Sequence, residues 1–395
     1  MPPKFNYSIL IHYSEIALKK NNRKFFEHLF INNIRSHVSG LDYSLIKLYE
    51  ARVFIHDINP NHWNQFKTRI TNVMGLQNCA LVIKTSSSMK DLESAALHLV
   101  KDRDFTNFRI TTKRNDKDLD FTSQDVNIQI GAHIQLKTDK PVNLKFPSLT
   151  INIEILKKNS FVGVEKYNGF SGLPANSQEK ALSLISSGID SPVASFEMIK
   201  RGVNLDYVHF HSYPAINKQS INNVKKILQV LSEYQLKSTL YIVPLLSIQQ
   251  KIMELVPDKY WVIFFRRYMI KIANDIAKKC NALALITGDS VGQVASQTLS
   301  NIRAISDVSD LPIIRPLAGS NKTDIINRAT TINTYNISIE PYQDCCAFFV
   351  PAHPETKAKI DIINKIAETI NLDDIYDEVI NNIEIEKFKY TGDKN

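Results

Sequence analysis

The chain has 395 residues, with 48 Lys and Arg against 40 Asp and Glu and a formal net charge of +8. A hydrophobic share of 44% and a charged share of 22% are ordinary globular values and exclude disordered and collagen-like classes. No run of eighteen apolar residues occurs, which excludes a conventional membrane span. The opening Met1-Pro2-Pro3-Lys4-Phe5 lacks the layout of a secretion signal. The expectation is a soluble, cytoplasmic protein of two or three domains.

In chain order, residues 7–12 read as a short strand and 24–36 (KFFEHLFINNIRS) carry apolar residues at helical spacing. Residues 51–58 alternate like a strand and stop at Asn59-Pro60, a boundary signal. That predicts a small α+β unit over 1–59. A helix at 63–72, a strand at 80–83, a helix at 89–101, a strand at 108–113, a helix at 123–135 and strands at 149–155 and 161–165 predict a second α+β unit over 60–166. Residues 167–177 (YNGFSGLPANS) are rich in Gly, Ser, Asn and Pro and read as a linker.

Beyond the linker the pattern alternates. Strands are predicted at 181–185, 205–211, 238–243, 282–287 and 313–316, with helices at 191–201, 222–233, 258–280, 323–329 and 360–369. Such alternation predicts an α/β domain over 178–395, a doubly wound parallel sheet that binds ligands outside the carboxyl ends of its strands.

Charge is distributed unevenly. Residues 1–174 hold 24 Lys and Arg against 16 Asp and Glu, whereas 175–395 hold 24 of each sign. A basic first half suits a polyanion such as nucleic acid, although a solvated basic surface reads the same way. Lys19, Lys20, Arg23 and Lys24 cluster at a helix start, and Lys113, Arg114 and Lys117 follow a strand. Phosphate contacts from such groups give salt-sensitive binding with little sequence readout. The four cysteines, Cys79, Cys280, Cys345 and Cys346, form no C-x-x-C pair, so neither a disulfide scaffold nor a zinc or iron–sulfur site is expected.

The segment SSGIDS, residues 186–191, follows an apolar strand and opens a helix. Small residues, hydroxyls and helix-terminal N–H groups suit an anion such as pyrophosphate. It is neither a Walker A loop nor a G-x-G-x-x-G fingerprint, and by itself a capped strand-to-helix turn explains it equally well.

SSGIDSPVASFEMIKRG resembles the PP-loop (S-G-G-x-D-S) of ATP pyrophosphatases, and within them that of the tRNA 4-thiouridine synthetases. Ser187 stands where the pattern has its first glycine, which fits only if its φ is not strongly positive. Other segments resemble the same family in order. They are YSEIALKKNNRKFFE, FRITTKRNDKDLDFTSQDVNIQIGAHI (the THUMP RNA-binding module), YNGFSGLP, TGDSVGQVASQTLSN, IIRPLAGSNKTDII and DCCAFFVPAHPETKA.

The resemblance implies a ferredoxin-like unit, a THUMP domain and a PP-loop domain that adenylates the uracil carbonyl at position eight of tRNA. A persulfide sulfur then replaces the adenylate. It implies ATP with Mg²⁺, pyrophosphate held by Ser186, Ser187, Gly188 and Ser191, and Asp190 orienting the loop or the ion. Nucleotide contacts fall on Leu184, Ile185, His209, Phe210, Arg266, Gly288 and Gln297. On residues alone, His209 reads first as a packed strand-end histidine and Arg266 as an ordinary helix arginine, while an N-cap role for Asp190 is compatible with its functional one.

Cys345 falls on the persulfide-bearing position, with Cys346 as a resolving thiol or a bystander; Cys79 and Cys280 read as packing thiols. Implied partners are tRNA, a cysteine desulfurase, a homodimer mate and the sulfur-carrier protein of thiamine thiazole synthesis. The rhodanese domain of some members is not expected here. The competing readings are a catalytically decayed tRNA-binding protein and a PP-loop modifier with a different product.

Overall fold

The computed structural model describes residues 5–341, 349 and 351–392. They form two compact units, dividing at Leu173 and Pro174. The first is built on one mixed sheet. In chain order it contains β1 (Asn6–Tyr13), α1 (Arg23–His37), β2 (Leu45–Tyr49), β3 (Arg52–His56), α2 (Trp63–Ile70), β4 (Leu76–Thr85), α3 (Met89–Val100), β5 (Phe108–Arg114), α4 (Ser123–Thr138), β6 (Leu149–Ile155), β7 (Ser160–Gly163) and β8 (Tyr167–Asn168).

The strand order is β2-β3-β1-β4-β7-β6-β5, with β8 also on β4. β5 and β6 run parallel; the other pairs are antiparallel. Alternation along β1 explains the layering. Ile9 and Ile11 join Phe30, Ile34, Phe66 and Ile70 beneath α1 and α2, while Leu10 joins Phe54, Val82 and Phe161 on the other face. A separate core under α3 and α4 contains Ile83, Leu92, Ile130, Ile151 and Val162. The Thr122–Asp125 capping box starts α4.

One buried charge lies inside this sheet. Glu154 accepts from Arg52 Nε at 2.5 Å and lies 3.0 Å from His12 Nε2. Burial alone would raise its carboxyl, but His12 and Arg52 outweigh that and hold it at about 2.

The second unit contains β9 (Lys180–Leu184), α5 (Asp190–Lys200), β10 (Asn204–His211), α6 (Gln219–Gln235), β11 (Lys237–Pro244), α7 (Leu246–Leu255), α8 (Trp261–Cys280), β12 (Leu285–Ile286), α9 (Leu299–Ser306), β13 (Ile313–Ile314), α10 (Lys322–Thr331), α11 (Tyr335–Ser338), α12 (Ile360–Glu368), α13 (Asp373–Asn381) and β14 (Glu384–Lys389). Its sheet order is β13-β12-β9-β10-β11-β14. All pairs are parallel except β11–β14.

The predicted doubly wound parallel sheet is present, with an antiparallel edge strand added. Leu182, Val208 and Phe210 pack into a core with α7, α8 and α9. The alternating Ala181 and Tyr207 are buried as well, as strands covered on both faces require. After β9 the chain runs outward through β10 and β11, then returns to lay β12 on the opposite side of β9. The carboxyl end of β9 is therefore the topological switch point. Among the described residues, no helix is long and apolar enough to cross a membrane.

Candidate nucleotide site

The loop after β9 sits at that switch point and is braced by its own hydroxyls. Ser191 Oγ accepts from the Ser186 N–H at 2.8 Å and lies 3.0 Å from Ser186 Oγ, while the Gly188 N–H donates to Ser186 Oγ at 3.3 Å. Asp190 and Ser191 form the first turn of α5, where unsatisfied N–H groups and the helix dipole favour an anion. Ser187 has none of the left-handed backbone that would strain a serine. Its side chain is buried, the residue being 1% exposed, and its hydroxyl has no hydrogen-bond partner among the described residues.

Gly288, just past β12, packs directly on this turn. A Cβ there would lie 2.7 Å from Ser191 N and 2.8 Å from Ser191 Cα, so only glycine permits the approach. His209 at the end of β10 is buried, and its Nδ1–H donates to the Ile185 carbonyl at 3.0 Å.

Around the loop lies a cavity of about 320 Å³, within the usual range for a small-molecule site. Leu184, Ile185, Ser186, Ser187, Gly188, Asp190, Ser191, His209, Phe210, Arg266, Gly288 and Gln297 all line it. The structure thus brings together, from β9, α5, β10, α8 and the segment after β12, every residue singled out for the nucleotide.

It also adds groups that no sequence motif singled out. Asp289 is 4% exposed. Its carboxylate accepts from Arg266 Nη2 at 2.5 Å, Thr287 Oγ1 at 2.8 Å, Arg315 Nε at 3.2 Å and Gln297 Nε2 at 3.4 Å. Burial would raise this carboxyl, but Arg266, Thr287 and Arg315 outweigh it and hold it below the usual carboxylate range. Lys322 and Gln293 reach Asp190 at 2.6 and 2.8 Å. Asp289 and Gln293 lie in the segment TGDSVGQVASQTLSN and Lys322 in IIRPLAGSNKTDII, but nothing in either segment says which of its residues meet the loop.

The basic residues of the first unit divide into two kinds. Arg23 is held by Glu27 Oε1 at 2.8 Å and by the Tyr13 hydroxyl at 2.6 Å. Arg114 donates to the carbonyls of Leu119 and Phe121. Both have folding roles. Lys20, Lys24 and Lys113 are exposed, and Lys19 lies 5.0 Å from the Phe26 ring centroid.

Cys79 is buried in the first core and its thiol is pushed up to about 12 by burial. Burial also raises the half-buried Cys280. Neither is poised as a thiolate. Cys345 and Cys346 lie outside the described residues.

Fold and loop together define an α/β domain of the PP-loop, ATP-pyrophosphatase class. Residues 176–372 match the family described as Thiamine biosynthesis protein (ThiI), residues 8–80 the ThiI ferredoxin-like domain and residues 86–165 the THUMP domain. A probable tRNA sulfurtransferase of Halothermothrix orenii is 37% identical over 97% of this chain and 99% of its own. One of Thermoanaerobacter pseudethanolicus is 38% identical over 94% and 98%. A crystal structure of a 4-thiouridine synthetase–RNA complex with bound ATP superposes with a TM-score of 0.87 at 33% identity, covering 98% of this chain and all of that one. The chain belongs to the tRNA sulfurtransferase (ThiI) family.

Proposed function

We propose that this protein is an ATP-dependent tRNA sulfurtransferase that converts uridine 8 of tRNA to 4-thiouridine. The observation that carries the reading is the cavity at the switch point. It joins an anion-suited loop to Arg266, His209 and Phe210, in a chain similar along its whole length to an ATP-bound 4-thiouridine synthetase.

In this reading ATP lies between the adenine-facing edge of β10 (His209, Phe210) and the loop. The N–H groups of the first turn of α5 and the Ser186, Ser187 and Ser191 hydroxyls receive the pyrophosphate portion. The uracil O4 attacks the α-phosphorus and pyrophosphate leaves. A carbonyl oxygen, a poor leaving group, thereby becomes part of AMP. The terminal sulfur of a Cys345 persulfide then adds to C4 and AMP departs. A second thiol attacks the Cys345 sulfur, closes a disulfide and leaves the sulfur on the base. That thiol is Cys346 or one supplied by the donor.

Magnesium would be carried on the ATP phosphates with Asp190 as its protein ligand, because Mg²⁺ usually takes one or two carboxylates plus phosphates. Asp190 sits at the mouth of the loop, and Lys322 or Gln293, which now meet its two oxygens, would yield one of them to the ion. It would supply charge neutralisation on the phosphates. Lys322, 2.6 Å from Asp190, is placed to add positive charge beside them.

Residues 178–395 act as the thiolation domain. The segment matching the THUMP domain, residues 86–165, acts with its ferredoxin-like companion, matched over 8–80, as the RNA-holding part, joined to the thiolation domain through 167–177. The basic first half holds tRNA by its phosphates, and the target base leaves its stack to reach the nucleotide. A cysteine desulfurase supplies the persulfide and a homodimer is the working form. Sulfur transfer to the thiamine sulfur-carrier protein is a second output favoured by the ThiI match.

The test incubates unmodified tRNA with the protein, ATP–Mg²⁺, and a cysteine desulfurase with cysteine, followed by nucleoside mass spectrometry. New 4-thiouridine that requires both ATP and Cys345, with Cys345→Ser inactive, is expected. Bound but unmodified tRNA beside an active donor would instead identify a decayed binder or a pure thiamine relay.

A further inference from the structure

A buried carboxylate beside a site for a polyphosphate needs a reason, because it repels the ligand. Asp289 is such a group. Four side chains from four segments converge on its two oxygens: Arg266 and Gln297 on Oδ1, Thr287 and Arg315 on Oδ2. Arg315 is anchored in turn, donating from Nη2 to Ser306 Oγ at 2.7 Å. Two guanidiniums against one carboxylate leave the cluster with one net positive charge. The charge an anion needs is kept, and the repulsion is neutralised from behind.

We propose that Asp289 is a positioning residue of the nucleotide site, holding the Arg266 guanidinium in the orientation that meets the anionic part of ATP. The inference rests on the ATP reading above. A loose arginine side chain carries rotamer entropy that a ligand must remove. Here Asp289 Oδ1 at 2.5 Å and Ser296 Oγ at 3.3 Å grip two different nitrogens of the fork before ATP arrives. The Gln297 amide is drawn to the same oxygen at 3.4 Å, so one carboxylate sets two cavity-lining groups. Such preorganisation acts on affinity by lowering the ordering cost.

The alternative is that Asp289 only ties α8, β12 and the segment around Arg315 together. A double-mutant cycle in nucleotide affinity, read beside the same cycle in melting temperature without nucleotide, separates the two, because a purely structural tie couples Asp289 to Arg266 in stability and not in affinity. The full-length protein is titrated with α,β-methylene-ATP and Mg²⁺ in four forms: unaltered, Asp289→Asn, Arg266→Ala and the double variant. Asp289→Asn is expected to weaken binding about tenfold when Arg266 is present and less than twofold when it is absent.

Binding by Asp289→Asn within twofold of the unaltered protein overturns the inference, as does a double variant whose loss is the full product of the single losses. Failure of the unaltered protein to bind overturns the ATP reading and this inference with it. Should Asp289→Asn not fold, Thr287→Val removes one hydrogen bond from the same carboxylate. Its expected loss is about threefold with Arg266 present and none without it; equal losses in both backgrounds overturn the positioning role.

Discussion

Gly288 is the tightest joint in the nucleotide site, and its replacement by alanine gives the sharpest test of the geometry. The added Cβ would lie 2.7 Å from Ser191 N, 2.8 Å from Ser191 Cα and 3.0 Å from the carbonyl carbon of Asp190. All three are backbone atoms of the first turn of α5, so no side-chain rotation relieves the clash. Carbon contacts are comfortable at about 3.5–4.0 Å, so the turn must retreat by roughly 0.8 Å. Gly288 does not have a positive φ, which leaves the effect purely steric.

Overpacking of this kind costs about 1–3 kcal/mol, or roughly 3–10 °C in melting temperature for a unit of this size. The functional loss is larger. The retreating turn carries the N–H groups proposed above to receive pyrophosphate, and a displacement of about 1 Å in a reacting array costs on the order of a hundredfold. Thermal unfolding without nucleotide and single-turnover 4-thiouridine formation measure the two effects separately. An alanine variant that thiolates tRNA within twofold of the unaltered protein would refute the reasoning.

Ser187→Gly, which restores the usual PP-loop residue, is expected to weaken ATP-analogue binding by about two- to twelvefold, the value of one net hydrogen bond; tighter binding would show that the buried hydroxyl is merely tolerated. The Glu154 carboxyl is held at about 2 against 4.5. Its contribution to the first unit, of order 3 kcal/mol at most, is present above about pH 4.5 and lost as pH falls through 2. Glu154→Gln should flatten the acid limb of a melting-temperature profile, and an unchanged limb counts against the buried ion cluster. In tRNA binding, replacing Lys20, Lys24 and Lys113 by alanine should reduce the slope of log affinity against log salt by about 0.7–0.9 for each phosphate no longer neutralised. A triple variant with the original slope moves the RNA surface elsewhere.

Much of this architecture was legible because its strands and helices carry their own periodicity. β10 and α8 are apolar enough to announce themselves. So is the loop, whose Ser and Gly residues sit directly between a strand and a helix. β14 was not legible. Its sequence, EIEKFK, is polar, Ile385 is exposed, and only Phe388 is buried; it is a strand because β11 offers it an edge. β2 escaped because it is only five residues long and its covered face carries just Ile46 and Leu48, half-buried at the margin of the core. β4 extends well past the predicted 80–83 because Asn78 and Lys84 pair with His12 and Asn6, and Leu76 pairs with Tyr13 beyond a register shift at Gln77. The role of Asp289 depends on partners at positions 266, 287, 297 and 315, and no local pattern encodes that convergence.

The ferredoxin-like and THUMP matches meet near residue 80, yet β4 bonds to β1 on one side and to β7 on the other. What looks like two cassettes in sequence is one cooperative block in structure. A cut after residue 59 would strip β1 of its longest ladder and expose Ile9, Ile11 and Leu10 together. Neither half should therefore unfold alone. A perturbation of the α3–α4 core should be felt under α1 and α2, and amide exchange across both halves should rise and fall as a single protection class.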